Sequence, residues 1–234
     1  MLSVILLPGL ACDDELFQHQ AAGLRDLARV HISTAHTRCA TLPAMATALL
    51  AEQPGRHVLI GASMGGMLAM EMHRQAPQRV VALGLLGTTA RPDTPELITL
   101  RTQACALFAA GRMDEVLRAN VLFAFHPTAA REPGLVDCYL AMIRRAGADQ
   151  LIAQNRAVMA PADQRPHLSA VQCPVLVACG EGDLLTTPEH ASEMAALMPH
   201  ARLEMVLGAG HMLTMEQGQR VSTLLVAWVL GLGG

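Results

Sequence analysis

The sequence contains no lysine: all 17 basic residues are arginine. A lysine nucleophile, a lysine Schiff base and the lysine of a phosphate-binding loop are therefore excluded. Phosphoryl-transfer machinery and lysine-dependent cofactor chemistry go with them. Aromatics are scarce, at one Trp, one Tyr and four Phe, so the interior must be filled with Ala, Leu, Val and the 14 Met residues. Charge is sparse too: charged residues make up 16% of the 234-residue chain and hydrophobic ones 52%, with a net charge of −3 and a pI of about 6.3. Such a composition excludes a disordered chain. No basic run is present, which argues against a nucleic-acid partner. The apolar tail Val221 to Leu232 falls short of the roughly 20 residues that span a bilayer, so no membrane partner is expected. Met1 to Leu7 lacks a basic region and reads as a strand, not as a signal peptide. Cys12, Cys39, Cys105, Cys138, Cys173 and Cys179 include no C-x-x-C pair and read as reduced thiols. The expectation is a soluble cytoplasmic protein, monomer or homodimer, of one large or two small domains.

What is present is an alternation. Val4 to Leu7, Val30 to Ile32, His57 to Ile60, Val80 to Leu86, Pro174 to Ala178 and Leu203 to Leu207 are short apolar runs bounded by Gly, Pro or polar residues. Runs of this kind suit strands buried on both faces. Between them the pattern predicts helices over Glu15 to Ala28, Leu42 to Glu52, Met64 to Gln75, Pro188 to Met198 and Gln217 to Leu230. The last carries Val221, Leu224, Leu225 and Trp228 on one face. Thr187 before Pro188 reads as a capped helix start. Strand–helix alternation implies an α/β fold, a mostly parallel sheet with helices on both faces. The rhythm breaks between Ala90 and about Arg165, where only helical segments punctuated by Pro and Gly occur. This stretch holds Phe108, Phe123, Phe125 and Tyr139, four of the six aromatics. The division expected is a core of residues 1–89 and 166–234 carrying a helical insertion of residues 90–165.

The most specific signal is Val58-Leu59-Ile60-Gly61-Ala62-Ser63-Met64-Gly65-Gly66. A buried strand runs into G-x-S-x-G and a helix follows. Serine on such a strained strand-to-helix turn projects its hydroxyl above the sheet edge, and Gly61 and Gly65 remove side chains that would clash there. The backbone N–H of Met64, at the helix start, can then point at an oxyanion.

On these residues the sequence resembles the α/β-hydrolase family, across nearly its whole length and in the family's order. Leu6-Leu7-Pro8-Gly9-Leu10 resembles the oxyanion loop, Gly61 to Gly66 the nucleophile elbow, and residues 90–165 a helical lid. Cys173 to Val177 resembles the strand returning to the sheet, which ends at Gly180-Glu181-Gly182-Asp183. Gly208-Ala209-Gly210-His211 closes the site before the last helix. Small bacterial esterases, lactonases and acyl hydrolases with a four-helix lid look most similar. The resemblance implies about six strands, since the N-terminal hairpin of many members has no counterpart.

Serine needs a base, and the base needs a group to fix its tautomer. The family order of Ser, acid, His implies Ser63, Asp183 and His211 as the catalytic residues. Glu181 is the neighbouring rival acid but sits early in its turn. His57, His19, His73, His190, His200, His31 and His36 read as surface or packing histidines. His126 and His167 are near the insertion by position only. No histidine pair has metal-ligand spacing with a third partner, so neither metal nor cofactor is expected. The resemblance implies the N–H groups of Leu10 and Met64 as oxyanion donors. Pro8 replaces the histidine that family members usually carry before this glycine, and Cys12 nearby reads as a packing thiol.

A serine at this turn excludes the alkyl-ester chemistry of members with Asp there. The implied activity is hydrolysis of a small carboxylic ester, thioester or lactone through an acyl-enzyme. Alternatives are carbon–carbon bond hydrolysis, acyl transfer or cofactor-free dioxygenation on the same triad, or a non-catalytic binding protein. Nine Arg and eight acidic residues between Ala90 and Arg165 nearly balance, so charge does not select an anionic substrate. Arg144-Arg145 can clamp a carboxylate or form a solvated helix face. Phe108, Phe123, Phe125 and Tyr139 are the candidate substrate-pocket residues, for a modest apolar acyl or alcohol group.

Overall fold

Short apolar segments pair into one six-stranded sheet in the computed structural model, which describes residues 2–160 and 162–232. Met1, Pro161, Gly233 and Gly234, which the sequence assigns to the first strand, the helical insertion and the core, lie outside the described residues. The strands are β1 (Leu2–Leu7), β2 (Ala28–Ile32), β3 (His57–Ala62), β4 (Val80–Leu86), β5 (Val175–Gly180) and β6 (Ala201–Val206). They lie in the order β2-β1-β3-β4-β5-β6, and every pairing is parallel. Side chains alternate across a strand, so each strand feeds two cores. Val4, Leu6, Val58, Ile60, Leu176 and Ala178 belong to one, and Ile5, Leu7, Leu59, Leu83, Val175 and Val177 to the other.

The helices are α1 (Gln18–Leu24), α2 (Leu42–Glu52), α3 (Met64–Gln75), α4 (Pro95–Ala109), α5 (Met113–Ala124), α6 (Pro133–Met159), α7 (Arg165–Leu168), α8 (Pro188–Leu197), α9 (Leu213–Glu216) and α10 (Gly218–Gly231). α1 packs on α10 over one face of the sheet, while α2, α3 and α8 share the core of the other. Strand–helix alternation breaks between β4 and β5, where α4, α5, α6 and α7 occur in succession. The 27-residue α6 is two helices joined at Gly147, whose φ of 80° and ψ of 171° are open to glycine but strained for other residues.

Two expectations change. The helix predicted over Glu15–Ala28 is a short 3-10 turn, Asp14–Phe17, followed by α1, which ends at Leu24. Asp13 accepts from the Glu15 N–H and nucleates the tighter turn, and Ala28 is drawn into β2 by pairing with Leu2. Thr187 does occupy the position before α8, but its side chain makes no capping bond. Its carbonyl accepts from the His190 and Ala191 N–H groups instead, and Pro188 has no N–H to cap. No helix among the described residues is long and apolar enough to cross a membrane.

Candidate active site

Strand order places the site. Order along the sheet reverses between β1 and β3, and the loops leaving the carboxyl ends of such strands diverge to open a crevice. Leu7 at the end of β1 is in register with Gly61 near the end of β3. The loop after β1 therefore lies beside the serine turn. β5 and β6 end together at the other side, with Gly180 opposite Val206, and deliver Asp183 and His211.

Ser63 has φ of 53° and ψ of −118°, a conformation that a side-chain-bearing residue adopts only under constraint. The constraint is visible on both sides. The Ser63 N–H donates to Leu86 O at 2.9 Å, and the Thr88 hydroxyl donates to Ser63 O at 2.7 Å. Close approach explains the flanking glycines: a Cβ on Gly61 would lie 2.1 Å from Gly65 O, and one on Gly65 would lie 1.8 Å from Leu7 O. The start of α3 is pressed against the end of β1.

The three side chains come within bonding distance. The Ser63 hydroxyl lies 3.0 Å from His211 Nε2, and His211 Nδ1 lies 2.9 Å from Asp183 Oδ2. With Asp183 ionised, Nδ1 carries the proton and Nε2 is free to accept from serine. Asp183 is 2% exposed. Its Oδ1 accepts from the Leu185 and Thr186 N–H groups at 2.8 and 2.9 Å, and its Oδ2 also accepts from the Thr186 hydroxyl at 2.9 Å. Burial pushes this carboxyl up, but the adjoining His211 and the bonds from His211, Thr186 and Leu185 outweigh it and hold the group below the usual aspartate value. Glu181 turns elsewhere and accepts from Gly208 N–H at 2.7 Å.

The loop after β1 packs on this turn: a Cβ on Gly9 would lie 3.4 Å from both Ala62 O and Ser63 Cβ. Among the described residues neither the Leu10 nor the Met64 N–H donates to a protein acceptor. Cys12 is buried, and burial, aided by Asp13, pushes its thiol up to about 12, so it is protonated and not nucleophilic near neutrality.

The aromatic candidates divide. Phe108, Phe125 and Tyr139 are buried in the core shared by α1, α10 and the helices between β4 and β5. Phe125 and Tyr139 meet edge to face at 5.2 Å. Phe125 borders the histidine loop, its Cα 3.1 Å from where a Gly210 Cβ would stand. Phe123 is not gathered with them and is 52% exposed. Leu117, Val121 and Ala124 set the buried face of α5, and helical rotation turns Phe123 to the opposite side. Arg144 pairs with Asp114, and Arg145 with Asp13 and Glu15, so protein carboxylates already occupy both guanidinium groups. His57 is satisfied by Ser3 and Gln53, as a packing histidine should be. Among the described residues no three His, Cys, Asp or Glu side chains gather as a metal site.

Several site residues carry no local sequence signal. Thr88 and Thr186 are two. Glu216 is a third: its Oε1 accepts from Gly210 N–H at 2.9 Å and its Oε2 from His126 N–H at 2.8 Å, while Met212 N–H donates to Ala124 O at 3.0 Å. The loop bearing His211 is thereby tied to the end of α5 on both sides of the histidine. Burial raises the Glu216 carboxyl, with those two N–H bonds opposing.

The sequence and the fold have counterparts in known proteins. A family model for the alpha/beta hydrolase fold matches residues 26–217. The biotin biosynthesis bifunctional protein BioHC of Cellvibrio japonicus is 26% identical over 93% of this chain, which spans only 45% of that protein's length. The pimeloyl-[acyl-carrier protein] methyl ester esterase of Aromatoleum aromaticum is 29% identical over 73% of each chain. A thermophilic esterase from Thermogutta terrifontis, solved with malate bound, has a TM-score of 0.90 at 26% identity, covering 99% of this chain and 90% of its own.

Proposed function

The chain belongs to the α/β-hydrolase family, and from that premise we propose that it is a serine hydrolase cleaving a small carboxylic ester, thioester or lactone. The carrying observation is the continuous hydrogen-bonded chain from Ser63 through His211 to buried Asp183. In the reaction His211 Nε2 takes the Ser63 proton as the serine oxygen attacks the substrate carbonyl carbon. Asp183 holds the resulting imidazolium. The oxyanion accepts from the Leu10 and Met64 N–H groups. Collapse breaks the bond to the alcohol or thiol, which leaves with the proton from His211. Water then attacks the acyl carbonyl, gives its proton to His211, and the carboxylic acid departs as Ser63 recovers its own.

Residues 90–165 act as a lid in this reading, since α5 is bonded to the histidine loop and α6 reaches the loop after β1. The esterases among its relatives support an ester as the substrate class. The test is labelling with a fluorophosphonate probe, alongside turnover of a graded panel of p-nitrophenyl esters. Wild type should label and turn over. Ser63→Ala should not label, and its turnover should fall by a factor on the order of 10⁴–10⁶. Equal labelling of the two proteins removes Ser63 as nucleophile. Labelling without turnover on any ester removes ester hydrolysis.

A further inference from the structure

The loop that presents the Leu10 N–H is a strained turn, and its brace comes from a helix 143 residues away. The Cys12 N–H donates to Gly9 O at 3.2 Å, closing a four-residue turn over Gly9-Leu10-Ala11-Cys12. Ala11, its third residue, has φ of 56°, while Leu10 is not among the residues with positive φ. That is the type II pattern, which ordinarily takes Gly at this position because a Cβ strains it. Alanine stays in it here because both ends of the Leu10–Ala11 peptide are held. The Cys12 thiol donates to Leu10 O at 3.4 Å, and the Ala11 N–H donates to Gln154 Oε1 at 2.6 Å.

Gln154 lies in the second half of α6 and is 1% exposed. Its own orientation leaves little choice. Its Nε2 donates to His36 O at 2.9 Å and to Gln150 Oε1 at 3.0 Å, and His36 Nε2 bonds Cys12 O at 2.8 Å. With Nε2 bound to two acceptors, Oε1 must face the turn. Relieving the strain at Ala11 means flipping the Leu10–Ala11 peptide into the type I form, which exchanges its N–H and C=O. The flipped carbonyl would face Gln154 Oε1, acceptor against acceptor, in a buried place.

We propose that Gln154 is a positioning residue for the oxyanion hole: through the Ala11 N–H it holds the Gly9–Cys12 turn in its strained form and so fixes the Leu10 N–H beside Ser63. This rests on the serine-hydrolase reading above and adds that the helical segment between β4 and β5 sets the transition-state geometry. It also supplies a brace in a loop where Pro8 offers no side-chain donor.

The experiment is the concentration dependence of fluorophosphonate inactivation, which separates the chemical step (kinact) from reversible binding (KI), with a thermal unfolding midpoint recorded for each protein. Gln154→Met keeps the length and removes both polar ends. Its kinact is expected to fall by roughly 10- to 100-fold, the scale of an ångström of misplacement, with KI within about twofold. Gln154→Glu keeps an acceptor for Ala11 and, held protonated by burial, an O–H donor for His36 O, and its kinact is expected within a few-fold of wild type. Adding Ala11→Gly to Gln154→Met removes the strain that drives the flip and is expected to recover most of the loss. Should Gln154→Met fail to fold, Gln154→Ala paired with Ala11→Gly carries the same comparison. Equal kinact in wild type and Gln154→Met overturns the proposal, as does a loss that Ala11→Gly leaves unchanged or one confined to KI. If wild type itself shows no Ser63-dependent inactivation, the serine-hydrolase reading fails first and this inference falls with it.

Discussion

Glu216 brings a carboxylate into a half-enclosed place where its two oxygens serve two different segments. One receives Gly210, immediately before His211, and the other receives His126, just beyond the end of α5. Burial raises its proton affinity, and the two N–H donors oppose that shift. Replacing one oxygen by an amide nitrogen sets donor against donor. Glu216→Gln should therefore leave one buried N–H without an acceptor, at a cost of about 1–3 kcal/mol. Urea denaturation of the two proteins measures that loss, and a difference below about 0.5 kcal/mol would remove the clamp. Legibility at this scale follows from distance along the chain. Ser63, Asp183 and His211 each stand in their own local frame, a Gly-x-Ser-x-Gly turn and two glycine-bearing strand exits, so each is a candidate before any contact is known. Thr88, Glu216 and Gln154 have no such frame. Their partners are Ser63 O, the His126 and Gly210 N–H groups and the Ala11 N–H, and only the folded arrangement of strands and helices pairs them.

The element that tolerates least is the joint between β3 and α3. Helix α3 begins at Met64, directly after the strained Ser63, and its first three residues are buried against the ends of β1 and β4. Gly65 meets backbone and not a flexible side chain: its missing Cβ would stand 1.8 Å from Leu7 O and 2.8 Å from Pro8 O. Neither can step aside without moving β1 or the turn that follows it. Gly65→Ala should lose more than the roughly 1–3 kcal/mol typical of overpacking and lose Ser63 labelling with it. A thermal midpoint and probe labelling near wild type would show that β1 and α3 are not in fact locked together. This joint is legible in the sequence because strand, turn and helix are contiguous: helices α2 and α3 and strand β4 fall at their expected bounds residue for residue. The stretch Glu15–Ala28 is not. Its helical pattern competes with an Asp13 cap at one end and with β1 pairing at the other, and the pairing partner Leu2 is distant in sequence.

Across the whole molecule, the sheet presents Ser63, Asp183 and His211 from its carboxyl edge, while the helices between β4 and β5 are bonded to the loop bearing His211 and to the turn after β1. Two of the attachments from α6 reach the segment after β1, on either side of Gly147. Gln154, after the kink, is buried and satisfied on both ends of its amide. Arg145, before it, spans Asp13 and Glu15, and the Glu15 carboxyl is held below its usual value by its bonds to Cys138 and Arg145. Charge alone would rank the arginine attachment higher, because it is ionic and reaches two carboxylates. Exposure reverses the ranking. The Arg145 side chain is 51% exposed and its partners 36% and 29%, so water and salt screen an attraction that in such settings is worth about 0–1 kcal/mol. It also ends on side chains of Asp13 and Glu15, beyond the Gly9–Cys12 turn, whereas Gln154 binds the turn's own backbone. Arg145→Ala should lower the unfolding free energy by under about 1 kcal/mol, a loss that shrinks further in roughly 0.5 M salt, and should leave kinact within about twofold. Urea denaturation at low and high salt, run beside the inactivation assay, decides this. A tenfold fall in kinact in Arg145→Ala would mean that the exposed ion pairs, and not the buried amide, transmit the position of α6 to Ser63.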